Sequence, residues 1–327
     1  MPTTLRIATF NVENLDDKES DKTPKLADRI AILRPQLARL RADVLCLQEI
    51  HGQEHANAPR DLAALLALID TTPLQTHQLA STLTAAGEAY NERNLVVLSR
   101  FPILAREQRK SDEGQPEYRK ITAVPREPAA KKIGWERPIL YVKLDLGLGR
   151  VLHVINLHLK SKIPTDIAGQ KKDTYTWKSA SGWAEGAFLS VMKRVGQALE
   201  VRMLVDEIFD AEPNAWVAVC GDFNADFDEV TVNAIRGPIE ETNNHELTMR
   251  VLVPCEKTVP EPSRYSLWHL GQGAMLDHVL VSRSLLAHYR GTEIHNEVLP
   301  DESGAFRTDL KFPESDHAPV IAEFEIP

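Results

Sequence analysis

Short apolar runs that stop at a carboxylate, carboxamide or imidazole recur along this chain. The first, residues 5–11, reads as a buried strand that ends Ile7-Ala8-Thr9-Phe10-Asn11. Residues 25–41 instead carry a helical period, with Leu26, Ile30, Leu33, Leu37 and Leu40 on one face and Pro35 as an interruption or kink. A strand follows over 43–49, ending Leu47-Gln48-Glu49, then an alanine-leucine helix over 60–69. Residues 95–99 form the next strand, closed by the turn Arg100-Phe101-Pro102. Residues 139–146 and 150–158 predict a hairpin around Gly147-Leu148-Gly149, its second strand ending Asn156-Leu157-His158. Residues 160–182 are polar without a period, and an irregular loop of that length inside a domain is often functional. A long helix over 183–209 is closed by Pro213, and 216–221, 276–281 and 319–325 complete the strands.

Strands in clusters with helices between them predict two packed, mixed sheets with helices outside, an α/β sandwich. The 327 residues fit one such domain, 1–327. A composition of 43% hydrophobic and 26% charged residues suits a globular enzyme with a sizeable core. No apolar run approaches the roughly eighteen residues of a membrane span. The first residues lack the basic and apolar regions of a secretory signal. Of three cysteines, Cys46 and Cys220 lie inside apolar strand runs and read as core, and Cys255 stands alone. That argues against a disulfide framework or a zinc site and points to the cytoplasm. Oligomeric state is not legible.

Net charge is −9, at first sight unfavourable for a polyanionic substrate. Yet residues 104–138 hold nine Lys/Arg against six Asp/Glu, and residues 160–178 hold five Lys against two Asp, so each segment is +3 on a body of about −15. Basic loops on an acidic body fit a site that attracts phosphate.

The chemistry concentrates where apolar runs stop. Gly221-Asp222-Phe223-Asn224 follows a strand directly, so a carboxylate and a carboxamide stand at a sheet edge. Met275-Leu276-Asp277-His278 and Ser315-Asp316-His317-Ala318-Pro319 add carboxylates and imidazoles. Work on a phosphate ester needs those parts. Carboxylate and amide oxygens, Glu49 above all, suit Mg²⁺ or Mn²⁺.

With Asn11, Glu49, His158, Asp222, Asp277 and His317 in this order, the chain resembles the endonuclease/exonuclease/phosphatase superfamily from about Leu5 to Phe324. The resemblance implies a four-layer α/β sandwich, two mixed β-sheets face to face with helices outside and the site at one end between them. It implies a metal-dependent phosphoesterase with Glu49 as main ligand of Mg²⁺ or Mn²⁺, Asn11 beside it and Asp316 as a further ligand. Asp222 matches the residue that orients and deprotonates the attacking water, with Asn224 holding the same water or a nonbridging oxygen. His317 matches a cation beside the transition state, its tautomer fixed by Asp277, and His158 matches a group that donates to a nonbridging oxygen or assists the leaving group. Glu13 stands where some relatives carry an acid near the metal. Arg137, Asn94 and Lys160 are candidate substrate-binding residues, Lys162 flanks the long loop, and Trp177 and Trp183 are candidate stacking surfaces. His278 falls on the other strand face and reads as structural.

The leading function is a phosphodiesterase or nuclease using in-line water attack, with a phosphate ester, nucleic acid among the candidates, as its partner. The lysines of 160–182, Lys171 and Lys172 included, favour a nucleotide-like diester over a lipid. The alternative is an inositol-phosphate phosphatase or a phospholipase C-like phosphodiesterase. A catalytically inactive binding module is disfavoured by the intact residue set.

Overall fold

In the computed structural model, which describes residues 3–18, 24–110, 114–306 and 312–327, the apolar runs from both ends of the chain pair in one sheet. β1 (Thr3–Leu15) leads to α1 (Leu26–Leu40), β2 (Val44–Ile50), the small hairpin β3 (Gln53–His55) and β4 (Ala58–Asp61), α2 (Ala63–Ile69), β5 (Gln78–Ser81), β6 (Asn94–Ser99) and β7 (Ile103–Arg109). The short β8 (Glu117–Tyr118) and β9 (Lys131–Lys132) precede β10 (Ile139–Gly147), β11 (Arg150–His158), α3 (Ala180–Ala211), β12 (Trp216–Asp222) and α4 (Val230–Arg236). The last third holds α5 (Ile239–Thr242), β13 (Leu252–Pro254), β14 (Leu267–His269), β15 (Gln272–Ala274), β16 (Asp277–Ser282), α6 (Arg283–Leu286), β17 (Tyr289–Ile294) and β18 (Val320–Ile326).

One sheet runs β17-β18-β1-β2-β6-β5 and the other β13-β16-β12-β11-β10-β7. Each holds one parallel pair, β1 with β2 and β11 with β12, among antiparallel neighbours. The central strands are apolar on both faces because both faces are covered. Ile7, Val44, Cys46 and Val97 of the first sheet meet Val142, Val154, Ala218 and Val279 of the second. The outer residues Phe10, Leu45 and Leu47 pack under Leu33 and Leu37 of α1 and Leu65 and Leu68 of α2. Ile155, Val217 and Val219 pack under Val201, Val205 and Phe209 of α3. The order is helix, sheet, sheet, helix, as expected.

Boundaries depart from the sequence pattern in informative ways. The helix expected over 60–69 starts only at Ala63, because residues 58–61 pair as β4 and Asp61 Oδ1 accepts from Ala63 N at 3.0 Å. Pro35 does not end α1. α3 begins three residues earlier than expected, capped by Ser179, whose Oγ accepts from Gly182 N. β5, β7 and β17 were not legible: they are sheet edges rich in polar residues, which blur the apolar signal. Cys255 joins Cys46 and Cys220 in the inter-sheet core, and all three are free and buried. Among the described residues, no helix is long and apolar enough to cross a membrane.

Candidate active site

Parallel pairing places the ends of paired strands side by side. His158 is in register with Asp222, and antiparallel β16 sets Asp277 opposite Asp222. In the other sheet Asn11 is in register with Gln48, one residue before Glu49. The two sheets touch here: Asn11 Nδ2 donates to Asp222 Oδ2 at 3.2 Å.

The Gly-Asp-Phe-Asn tetrad divides its labour. Gly221 has φ +141°, and a Cβ there would sit 2.0 Å from the Leu157 carbonyl oxygen, so only glycine lets β12 pass β11 this closely. Asp222 points into the site. Phe223 is buried against His278, ring centroids 4.9 Å apart. Asn224 turns left-handed, its N–H donating to Asp222 Oδ1 at 2.8 Å and its carboxamide to Asp222 Oδ2 at 3.0 Å and Leu159 O at 3.1 Å.

His317 Nδ1 lies 2.6 Å from Asp277 Oδ2, and its Nε2 faces Asp222 and Asp316 at 3.9 Å each. Burial opposes the charge on His317, but Asp277 and Asp222 outweigh it and hold the imidazole well above its ordinary pKa. His158 Nε2 lies 3.3 Å from Asp222 Oδ2 and 3.6 Å from Glu49 Oε1. Burial and the neighbouring Arg137 charge push its pKa well below the ordinary value, so the ring is neutral. Burial raises Asp222 to about 7, a range in which a carboxylate can accept a proton from water.

Beside these groups lies an acidic corner. Glu13 Oε2 accepts from Asp316 N at 3.1 Å, and Glu49 Oε2 accepts from Asn14 N at 3.0 Å. Burial, then the Asp316 charge, raises Glu13 to about 8, while burial and the nearby Glu49 charge raise Asp316 to about 6. The nearby cation Arg29 is spent on backbone, reaching Glu13 O and Val12 O at 2.5 Å each and Pro313 O at 3.3 Å. Carboxylates that repel one another around oxygen donors fit a hard divalent cation, which would relieve the repulsion. Asn11 Oδ1 already accepts from Glu13 N at 3.0 Å, leaving one lone pair for a metal. Asp222, Asp277 and His317 offer ligand atoms within 4.8 Å of one another, the one such trio of carboxylate and imidazole groups among the described residues. There the 2.6 Å hydrogen bond occupies Nδ1, so the group reads as a charged dyad next to a base.

Asn11, Glu49, His158, Asp222, Asn224, Asp277, Asp316 and His317 thus come together. Three residues expected to bind substrate are engaged with the protein itself. Asn94 is wholly buried and all its capacity is used: Oδ1 accepts from Tyr90 N, and Nδ2 donates to Ile50 O and Tyr90 O. Arg137 braces the end of β11, donating to His158 O at 3.1 Å and Leu159 O at 3.4 Å. Lys160 folds onto its own loop, at Ser161 Oγ and Ile163 O. Three further lysines of the long loop are likewise engaged: Lys162 with Glu229, Lys171 with Asp166 and over the Trp177 ring, Lys178 with Gly169 O. Trp177 packs into a small apolar cluster with Ile133, Ile167 and Leu189 rather than standing free, whereas Trp183 is half exposed. His278 is structural, wedged between Glu256 at 2.6 Å and Ala225 O at 2.8 Å.

Sequence reasoning missed the floor of the site. Gln48 Nε2 donates to Asn156 Oδ1 at 2.7 Å across the two sheets, and Asn156 Nδ2 returns to Leu47 O and Val96 O. Both amides interrupt apolar runs, and a buried carboxamide in a strand must find a partner, a signal that could have found them. Arg29 had a weaker signal, a cation between apolar helical positions. Arg93 had none.

A family model described as the Endonuclease/Exonuclease/phosphatase family matches residues 8–317. Among curated proteins none matches by sequence. Among solved structures, an endonuclease/exonuclease/phosphatase family protein from Bacteroides thetaiotaomicron has TM-score 0.59 at 16% identity, covering 100% of this chain and 96% of its own. Truncated TDP2 from Caenorhabditis elegans has TM-score 0.57 at 15% identity, with 98% of both chains covered. An AP endonuclease from Archaeoglobus fulgidus has TM-score 0.54 at 16% identity, covering 98% of this chain and 99% of its own. At these identities the likeness is one of fold.

Proposed function

We propose, from the premise that the chain belongs to the endonuclease/exonuclease/phosphatase family, that it is a metal-dependent phosphodiesterase of nuclease type. The observation that carries this is the meeting of Asn11, Asp222, His158, Asp277 and His317 across two sheets, with carboxylate, neutral imidazole and cationic imidazole within reach of one point. Water held by Asp222 and Asn224 attacks phosphorus opposite the leaving oxygen. Its proton passes to the Asp222 carboxylate as the new P–O bond forms and the P–O bond to the leaving oxygen breaks. His317, held charged by Asp277, and His158, as a neutral donor, stabilise the negative charge that builds on phosphoryl oxygens. Glu49, Asp316 and Asn11 would hold Mg²⁺ or Mn²⁺, with Glu13 beside them. Bound there, the ion supplies Lewis-acid stabilisation of the phosphoryl group. Among the fold neighbours, one named an AP endonuclease supports a nucleic-acid diester as the substrate class.

The test is a hydrolysis panel with Mg²⁺, Mn²⁺ or EDTA: bis-p-nitrophenyl phosphate, plasmid and single-stranded DNA, RNA, inositol phosphates and phosphatidylcholine. Diester hydrolysis that EDTA abolishes and metal restores is expected. Full activity in metal-free buffer, or a phospholipid or inositol phosphate as far the better substrate, would overturn it.

A further inference from the structure

Arg93 stands on the rim of the site, in the loop before β6, and its backbone is fixed although its side chain is exposed. The hydrogen bonds of Asn94 to Tyr90 and Ile50 pin the next residue, and Arg93 itself holds φ +59°, a conformation a long side chain adopts at a cost. Its Nε lies 3.4 Å from Asn14 Oδ1, and His51 Nε2 lies 3.2 Å from the same oxygen. Asn14 in turn donates its backbone N–H to Glu49 Oε2 at 3.0 Å. His51 Nδ1 is taken by Asp16 Oδ2 at 3.4 Å, so the guanidinium is the group left facing outward, one carboxamide away from Glu49. Among the described residues no carboxylate pairs with Arg93.

We propose that Arg93 anchors a subsite for a second phosphate adjacent to the one that reacts. The proposal rests on the phosphodiesterase reading above and names the substrate class within it: a diester that carries a neighbouring phosphate, as in an oligonucleotide strand. The reacting phosphate belongs among the buried groups Asn11, His158, Asp222 and His317. Arg93 lies outside them, beyond Asn14, where the next phosphate of a strand leaves the site. A planar fork with free donors suits a phosphate better than a lysine does, and a charge without a carboxylate partner gives up no ion pair on binding. An inositol polyphosphate offers the same chemistry from another source.

The test compares a dinucleoside monophosphate, a trinucleoside diphosphate, bis-p-nitrophenyl phosphate and an inositol polyphosphate on the wild type, R93K and R93Q, with folding checked by circular dichroism. The wild type should have a lower KM for the trinucleoside diphosphate than for the dinucleoside monophosphate. R93Q should raise the KM for the former by about tenfold or more, the size of a charge-assisted hydrogen bond. Its kcat, and both constants for bis-p-nitrophenyl phosphate, should stay near the wild type, with R93K intermediate. Equal losses on all substrates, or none on any, would overturn the subsite. If only the inositol polyphosphate depends on Arg93, the subsite stands and its source is not a strand. Should the wild type hydrolyse nothing, the phosphodiesterase reading fails, and fluorescence polarisation of a labelled trinucleoside diphosphate decides the subsite separately. Weaker binding and a flatter salt dependence in R93Q support it, and equal binding overturns it.

Discussion

A 2.6 Å hydrogen bond joins His317 Nδ1 to Asp277 Oδ2 where the sheets meet, leaving His317 Nε2 to face Asp222. Both residues are buried, so the pair acts as one unit. His317→Ala and Asp277→Ala should each cost heavily in kcat/KM, and the double variant should be little worse than either single one. Asp277→Asn should also move the alkaline limb of the pH–rate profile downward, because the group that raises His317 is gone. A double variant equal to the product of two large single losses would show the residues acting independently.

Asp222→Asn should retain fold and substrate binding but lose about 10²–10⁴-fold in kcat, the usual loss for a general base. Asn224 N and the two carboxamides now donating to Asp222 leave an asparagine one mismatched contact, about 1–3 kcal/mol of stability. Because burial places Asp222 at about 7, activity should fall as pH drops through neutrality, with a bound cation moving that limb lower. A variant within threefold of the parent with an unchanged acid limb removes Asp222 from the mechanism.

Glu13 gives a stability prediction with a definite sign. Its carboxyl rises from 4.5 in the open chain to about 8 in the fold through burial and Asp316. A raised folded pKa contributes stability that is complete below 4.5 and lost as pH climbs through 8. The metal-free protein should therefore melt lower at pH 8.5 than at pH 5, Glu13→Gln should flatten that dependence, and Mg²⁺ should restore stability at high pH. Thermal melts of both proteins with EDTA and with metal provide the check, and a slope unchanged by the substitution would refute the assignment.

Glu185 of α3 organises the loops beside the site. Its carboxylate accepts from Ile121 N, Thr122 N, Thr122 Oγ1 and Tyr118 OH. Glu185→Ala strands four part-buried donors, and each one that water does not reach should cost about 1–3 kcal/mol. Hydrogen exchange at residues 118–124 should accelerate, while turnover of a small chromogenic diester holds. Unchanged protection of that segment would mean that the apolar cluster of Ile133, Ile167 and Leu189 alone holds the loops.

The strand ends were legible because an apolar run that stops at Asn11, Glu49, His158 or Asp222 is a local pattern, and a strand carries its last side chain to the sheet edge by geometry alone. Two packed sheets with helices outside were legible from strands in clusters with helices between them, and the four-layer order from the family resemblance. What a given polar side chain does with its hydrogen bonds was not local. Asn94, Arg137 and Lys160 have the composition of substrate-binding residues, yet their partners are backbone atoms supplied by the fold: Ile50 O for Asn94, His158 O for Arg137, and the turn of its own loop for Lys160. Arg29 and Arg93 likewise take their places from partners far along the chain. Arg29 stands 284 residues from the Pro313 carbonyl it binds, and Arg93 stands 79 from Asn14. A long cation chooses among donors' mates only once the chain has folded around it, so its place in the site belongs to the tertiary structure.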